Sequence, residues 1–429
     1  MYSKSHCVQC APVAQAEGGE VNRHYSTREF FRQMPNALLA RYFEARGVLG
    51  ELDFSAMKEA APKELFAAWL ELSDIARNEM DAEFREIFEM SCDKGTLAII
   101  DEAQWHHAGD ADVHTIFVDG LAALANHYER AMVTFLDHNK LWKGATLFYH
   151  ADTLSWWRKR GHLPHVQAAV DRPSLKELAS LIRNYFHHTE GRGNNCVVEP
   201  FRRGGLDYFF AYPEDYSQQS IEWVDGRFGR RSHNPAFEVI YVYSQIDGTL
   251  DLNFRGSYKA VEPLQAMFAM AILKLPELPP DPKDGRVYDL TPLRQPGFKF
   301  VFDIGSGIQD VAIRKLRLSS KLKKGERIAV EADPSGDSSA VHEVLDRIGK
   351  AVPLHMYNVT QVELTASMVT DPGKPAKAIT IRVTHPNSCS LKYDPVGLKL
   401  RDMLHASGIE PKLPPESPEE LAAHEPVGT

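Results

Sequence analysis

Val239-Ile240-Tyr241-Val242-Tyr243, continuing through Ser244-Gln245-Ile246-Asp247-Gly248-Thr249, is the stretch that sets the fold class of this chain. A run of β-branched and aromatic residues favours a strand. The Asp247-Gly248 pair behind it favours a tight hairpin, because glycine accepts the positive φ such a turn needs. Upstream, Val197, Val198, Tyr208, Phe209 and Phe210 form similar runs separated by Gly, Pro and Asp. Downstream comes a helix at about 259–274, then six prolines from Pro276 to Pro296, a density that reads as an interdomain linker. Beyond it the pattern predicts strands at 299–304, 311–318 and 326–332, a helix at 338–350, strands at 356–369 and 377–385, and a last helix at about 396–407. This order lacks the regular βαβ rhythm of a doubly wound sheet.

The chain before Gly193 reads differently. Ser26-Thr27-Arg28-Glu29 has the spacing of a capping box, and Pro35 breaks the helical pattern that follows it. From Pro62 to about Cys92 runs a long amphipathic stretch through Leu65, Phe66, Trp69, Met80, Phe84 and Ile87. Further helical patterns cover 94–106, 114–139 and 144–160, and a last helix begins at Ser174 behind Pro173. The expected fold class is α+β and multi-domain: an N-terminal helical domain, then a β-rich domain, then a C-terminal α+β domain. The expected boundaries are a disordered tail at 1–25, a helical domain at 26–193, a β-rich middle domain at 194–275, a Pro-rich linker at 276–297, an α+β domain at 298–411 and a disordered tail at 412–429.

Composition narrows the function classes. The 429 residues are 43% hydrophobic and 25% charged, which excludes a fibrous or disordered protein. A net charge of −9 argues against coating nucleic acid through bulk charge, while leaving local basic patches open. Five cysteines in irregular positions do not form a disulfide framework, and the Cys7/Cys10 pair has no second half of a zinc site nearby. No run approaches the ~18 apolar residues of a membrane span, and no apolar signal segment opens the chain. The expectation is a cytoplasmic protein with no membrane partner.

One segment suggests chemistry: Leu181-Ile182-Arg183-Asn184-Tyr185-Phe186-His187-His188. Histidine moves protons near neutral pH, and arginine holds a phosphate and its developing charge. In RNA the attacking group is the strand's own 2′-hydroxyl, so no metal or cofactor is expected. Arg183-Asn184-xxx-His188 resembles the RNxxxH signature of HEPN-type ribonucleases, helical domains that usually dimerise to bring two such motifs together. The resemblance covers these six residues and the helical region around them. It implies that Arg183 and His188 are the catalytic pair and that Asn184 supports them. The second histidine, His187, is a further catalytic candidate, and it and the glycine-rich exit Gly191-Arg192-Gly193 depart from the family pattern.

Arg192, Arg202 and Arg203 follow closely and are the candidate substrate-binding cations; with Trp156, Trp157, Tyr185 and Phe186 they supply charges and aromatic faces of the kind single-stranded RNA uses. The runner-up site is metal-binding: His106, His107, Asp110, Asp112 and His114 place imidazoles and carboxylates densely enough to hold a divalent ion. Thr96–Glu102 imitates the apolar run and acidic pair of an ATPase, but the chain has no GxxxxGK[ST] phosphate loop. Phe302–Gly307 reads as a hairpin turn. Arg314, Lys315, Arg317, Lys321, Lys323, Lys324 and Arg327 form a basic run that suits a solvated strand edge, with a nucleic-acid surface as its alternative.

Two function classes follow. The first is a metal-independent RNA-cleaving effector, an endoribonuclease of the hydrolase class, with regulatory or recognition domains attached, of the kind found in bacterial-type defence or toxin components. Its partners would be RNA and a second copy of the chain. The alternative is a non-enzymatic multi-domain binding or scaffold protein of a regulatory complex, with a protein partner.

Overall fold

The computed structural model describes residues 23–224, 226–280, 286–370 and 375–410. The expected tails, apart from Arg23–Tyr25, and the Cys7/Cys10 pair therefore lie outside the described residues. The described residues form an α+β protein that separates into two compact units, one comprising residues up to Ile99 together with Thr115–Trp142, the other Ile100–His114 together with Lys143 onward.

In the first unit the helices are α1 (Thr27–Gln33), α2 (Asn36–Arg46), α3 (Lys63–Leu70), α4 (Asp74–Met90), the start of α5 (Asp93–His106), most of α6 (Ala111–Ala123), and α7 (His127–Asp137). Ser26 accepts a hydrogen bond from the Glu29 amide, so the capping-box residues do start a helix, and the chain breaks at Pro35. The long stretch expected from Pro62 to Cys92 is two helices. Ser73 interrupts it by capping the Ala76 amide and restarting the chain as α4. Phe84 is the centre of this core. The rings of Phe30, Tyr42, Trp69 and Phe31 lie 4.9, 4.7, 5.5 and 5.5 Å from it, and Phe84 itself is fully buried.

The second unit is built on a ten-stranded sheet. After α8 (Asn139–Thr153) come β1 (Trp157–Arg160), α9 (Arg172–Glu190), β2 (Cys196–Arg203), β3 (Leu206–Pro213), β4 (Gln218–Val224), β5 (Arg227–His233), β6 (Val239–Ser244), β7 (Thr249–Phe254) and α10 (Val261–Ala271). The remainder is β8 (Ile308–Ser320), β9 (Arg327–Glu331), α11 (Ala340–Gly349), β10 (Tyr357–Met368), β11 (Lys377–Thr384), β12 (Ser388–Cys389) and α12 (Pro395–Ala406). The order across the sheet is β2-β3-β6-β7-β1-β12-β11-β10-β8-β9, antiparallel at every pair. Val239–Tyr243 pairs on both sides and turns through Gly248 at φ +57 into β7, as the opening stretch predicts.

The second unit departs from the sequence expectations at three further places. First, the helical pattern at 144–160 ends at Thr153, and Trp157–Arg160 is a strand. Apart from Trp157 its residues have no strong strand preference; pairing with β7 on one side and β12 on the other decides. This strand seams the halves that composition separates at residue 276 into one continuous sheet. Second, the 276–297 segment is more than a tether. Tyr288, Leu290 and Leu293 are buried in the same core as β8, β10, β11 and α12. Third, no strand forms at 299–304. Phe298, Phe300 and Phe302 pack against that core without a ladder partner, and Asp303 caps a short 3-10 turn at Ile304–Ser306 rather than a hairpin.

Each half of the sheet carries its own helices. Leu178, Ile182 and Phe186 of α9 and Leu264 and Phe268 of α10 pack on Phe209, Tyr241 and Leu252. Tyr208 and Phe210 have the opposite parity in β3, and Tyr208 meets Phe148 of α8 at 5.2 Å. That is why β3 is buried along almost its whole length. In the other half, Val341 and Leu345 of α11 and Leu400, Met403 and Leu404 of α12 share a core with Leu316, Val362 and Ile381.

Candidate nucleic-acid interface

Asp171 starts α9 by accepting from the Ser174 amide, Pro173 occupies the first turn, and Gly191 ends the helix in the left-handed conformation at φ +70. The apolar stripe Leu178–Ile182–Phe186 faces the sheet at steps of one turn. Arg183, Asn184, His187 and His188 consequently face solvent. Arg183 Nε and Nη2 reach Asn184 Oδ1 at 3.4 Å, and Nη2 reaches Ser180 Oγ at 3.4 Å. The rings of His187 and His188 meet edge to face at 5.4 Å. Neither imidazole has a hydrogen-bond partner among the described residues to orient it. The helix presents the motif without activating it.

The three arginines expected to bind substrate behave differently. Arg192 is clamped between Glu190 (2.7 Å) and Asp215 (2.8 Å), with its guanidinium 3.8 Å over the Phe237 ring. Burial works against its charge, yet the two carboxylates hold its pKa above the ordinary value. Arg203 is 7% exposed and donates to both oxygens of Asp152 (2.8 and 3.0 Å) and to Asp101 (2.7 Å). Burial nevertheless pushes the Asp152 carboxyl up to about 6. Both guanidiniums are committed to carboxylates, which leaves neither available to a phosphate. Arg202 is half-buried, 3.5 Å from Asp207 and 5.5 Å over the Trp105 ring.

The runner-up metal cluster is not gathered into one site. Among the described residues no three His, Cys, Asp or Glu side chains group as metal ligands. His106 pairs with the buried Glu102 one turn back at 3.1 Å, Asp110 accepts from the Val113 amide at the start of α6, and His107 and His114 stack edge to face at 6.0 Å. Of the basic run, Arg314, Lys315 and Arg317 lie on β8, which β9 covers, while Arg327 lies on β9, the edge strand of the sheet. Lys315 and Arg314 pair with Glu331, and Arg314 also approaches Glu363.

Sequence reasoning passed over β4 and β5, which form a two-stranded ribbon separate from the main sheet. Trp223 pairs across from Phe228 and Ile221 across from Arg230. Ile221, Trp223 and Phe228 are 63%, 71% and 64% exposed, and the two rings lie 5.3 Å apart. Large apolar groups grouped in solvent on one face need a reason beyond chance. Arg227 and Arg230 have no ion-pair partner among the described residues, while Arg231 reaches Glu222 at 3.9 Å. The alternation Ile221-x-Trp223 before Asp225-Gly226 carried this signal.

The root of the ribbon is fastened to the end of α9. Tyr216 donates to the Glu190 carbonyl (2.6 Å), the Gly193 amide to the Glu214 carbonyl (2.8 Å), and Arg192 bridges Glu190 and Asp215. The arginine read as a substrate contact is thus the clasp between the motif helix and the ribbon. No helix among the described residues is long and apolar enough to cross a membrane. No protein-family model matches the chain, and neither does any curated protein or any solved structure.

Proposed function

We propose that this protein binds single-stranded RNA on the β4–β5 ribbon. The observation that carries the reading is the exposed Trp223–Phe228 pair with Ile221 beside it, and Arg227 and Arg230 on the same ribbon without an ion-pair partner among the described residues. Every base has a π-face, so aromatic rings bind bases whatever the sequence, and guanidiniums beside them meet the phosphates. The net charge of −9 is compatible with this, because recognition here needs a local cluster and not a basic surface overall. Fluorescence anisotropy of a labelled single-stranded RNA is the test. Binding by the wild type that weakens in Trp223→Ala and Phe228→Ala supports the reading. Absence of binding, or undiminished binding in both variants, ends it, and capture of an acidic protein by the same face would replace RNA with that partner.

A second reading, RNA cleavage at α9, is favoured by one observation: Arg183, Asn184, His187 and His188 are all exposed at the end of the helix to which the ribbon root is fastened. The missing orienting groups would then come from a second copy of the chain, as the resemblance implies. Labelled RNA incubated in chelator should be cut by the wild type and left intact by His188→Ala and Arg183→Ala. Equal cutting by all three removes Arg183 and His188 from catalysis.

A further inference from the structure

A cavity of about 100 Å³ lies where β1, the β6–β7 turn and α12 meet. Lys159, Ser244, Thr249, Tyr393, Leu398 and Arg401 are among the residues that line it. It is independent of the ribbon and of the α9 motif. Charged groups buried this deeply are normally paired, so the state of each one is informative.

Lys159 is 5% exposed and fully engaged, with its ammonium 2.5 Å from Glu410 and 3.3 Å from Asp251. Asp251 also accepts from the Tyr393 hydroxyl. Arg401 is different. It is 4% exposed, its guanidinium lies 4.3 Å over the Tyr393 ring, and Nη2 donates to the Leu391 carbonyl at 3.1 Å. Its Nε and Nη1 are buried and have no acceptor among the described residues, and no carboxylate of a described residue stands within ion-pair distance of it. Asp251, whose charge acts on Arg401, is paired with Lys159, and Asp251 Oδ1 and the two Glu410 oxygens are themselves buried without a hydrogen-bond partner among the described residues. Two further carboxylates line the cavity: Asp402 is solvent-exposed, and Asp247 accepts from Ser244 Oγ at 2.8 Å. They would repel a large or multiply charged anion more than a small one.

We propose that this cavity is a binding site for a small oxyanion, a carboxylate or inorganic phosphate, held by the unspent N–H groups of Arg401. A cationic group with donors to spare in a low-dielectric site bonds an anionic oxygen about twice as strongly as a neutral one. The volume admits a ligand of a few heavy atoms, and the Thr249 hydroxyl offers it a further hydrogen bond. Trapped water is the competing occupant, since it would also satisfy these nitrogens.

Isothermal titration of the full chain with inorganic phosphate and, separately, with acetate distinguishes the two anion sources from water. The expected result is saturable binding of at least one probe. Because Arg401→Gln removes a buried charge and can unfold the chain, Leu398→Trp is the companion variant. Leu398 lines the cavity while staying 36% exposed, so the larger ring blocks the space without touching the charges. Binding weakened by about tenfold or more in folded Leu398→Trp supports the site, about the share of affinity one charge-assisted hydrogen bond supplies. Heats that do not saturate with either probe, or equal binding by Leu398→Trp and wild type, overturn it.

Discussion

Arg183 and Arg203 flank the same stretch of chain, yet their surroundings are opposites. Arg183 stands on the solvent face of α9 with nothing closer than the 3.4 Å contacts to Asn184 and Ser180. Arg203 ends β2 inside the protein, spent on Asp152 and Asp101. The difference comes from which way each backbone points the side chain. Nearness in sequence to a motif therefore says where a cation is, and nothing about whether its charge is free. The same division separates Arg227 and Arg230 on the ribbon from Arg192 at its root.

The sharpest way to break this contrast is to remove each cation in turn. Arg203→Ala leaves Asp152 buried and short of its partner, and should cost about 3–5 kcal/mol in the urea unfolding of the second unit. Arg183→Ala should stay within about 0.5 kcal/mol of wild type in the same measurement. A small loss for Arg203→Ala would dissolve the distinction.

Next in size is the ribbon. Trp223→Ala should weaken binding of single-stranded RNA by about tenfold or more, from the ~1–3 kcal/mol of one base–aromatic stack, with no shift in the unfolding midpoint. A shifted midpoint would mean that the ring serves the fold.

The smallest effect is a pH dependence inside the Arg203 cluster. Asp152 has a folded pKa near 6 against an ordinary 3.8, so the folded chain holds this proton more tightly than the unfolded one. Its contribution to stability is complete below about pH 4 and is lost as pH rises through about 6. Unfolding curves at pH 4, 5 and 6 should therefore show wild type losing stability relative to Asp152→Asn as pH rises across that window. A wild-type contribution that grows with pH would reverse the sign and refute the assignment.

Much of the fold was legible. The Asp247-Gly248 hairpin, α9 behind Pro173, and the strands and helices beyond residue 308 follow from local chemistry, since turn residues, caps and period-two alternation act over a few neighbours. The seam strand was not legible, because Arg158-Lys159-Arg160 behind Trp157 carries no strand preference and becomes one by pairing with residues as far away as Cys389. The candidate site was legible only as residue types. That the α9 motif is exposed follows from its spacing against Leu178, Ile182 and Phe186. That Arg192 and Arg203 are unavailable depends on Asp215, Asp101 and Asp152, distant in sequence, so no reading of the neighbouring residues finds it. The ribbon was missed for the opposite reason. Its pattern is local, but an alternating strand reads as half-buried until the structure shows both its aromatic residues in solvent.

The seam strand also fixes an order of events when the protein is made. Arg158 pairs with Leu252 on one side and Ser388 on the other, so one edge of β1 finds its partner early in synthesis and the other waits for nearly the whole chain. Until β12 emerges, the four strands already joined to β1 present an unpaired edge, the kind of template on which nascent chains pair wrongly. Long-range closure of this sort is slow. A polypeptide halted at the proline-dense segment would therefore keep its first half-sheet and expose the edge that the finished molecule hides at its centre.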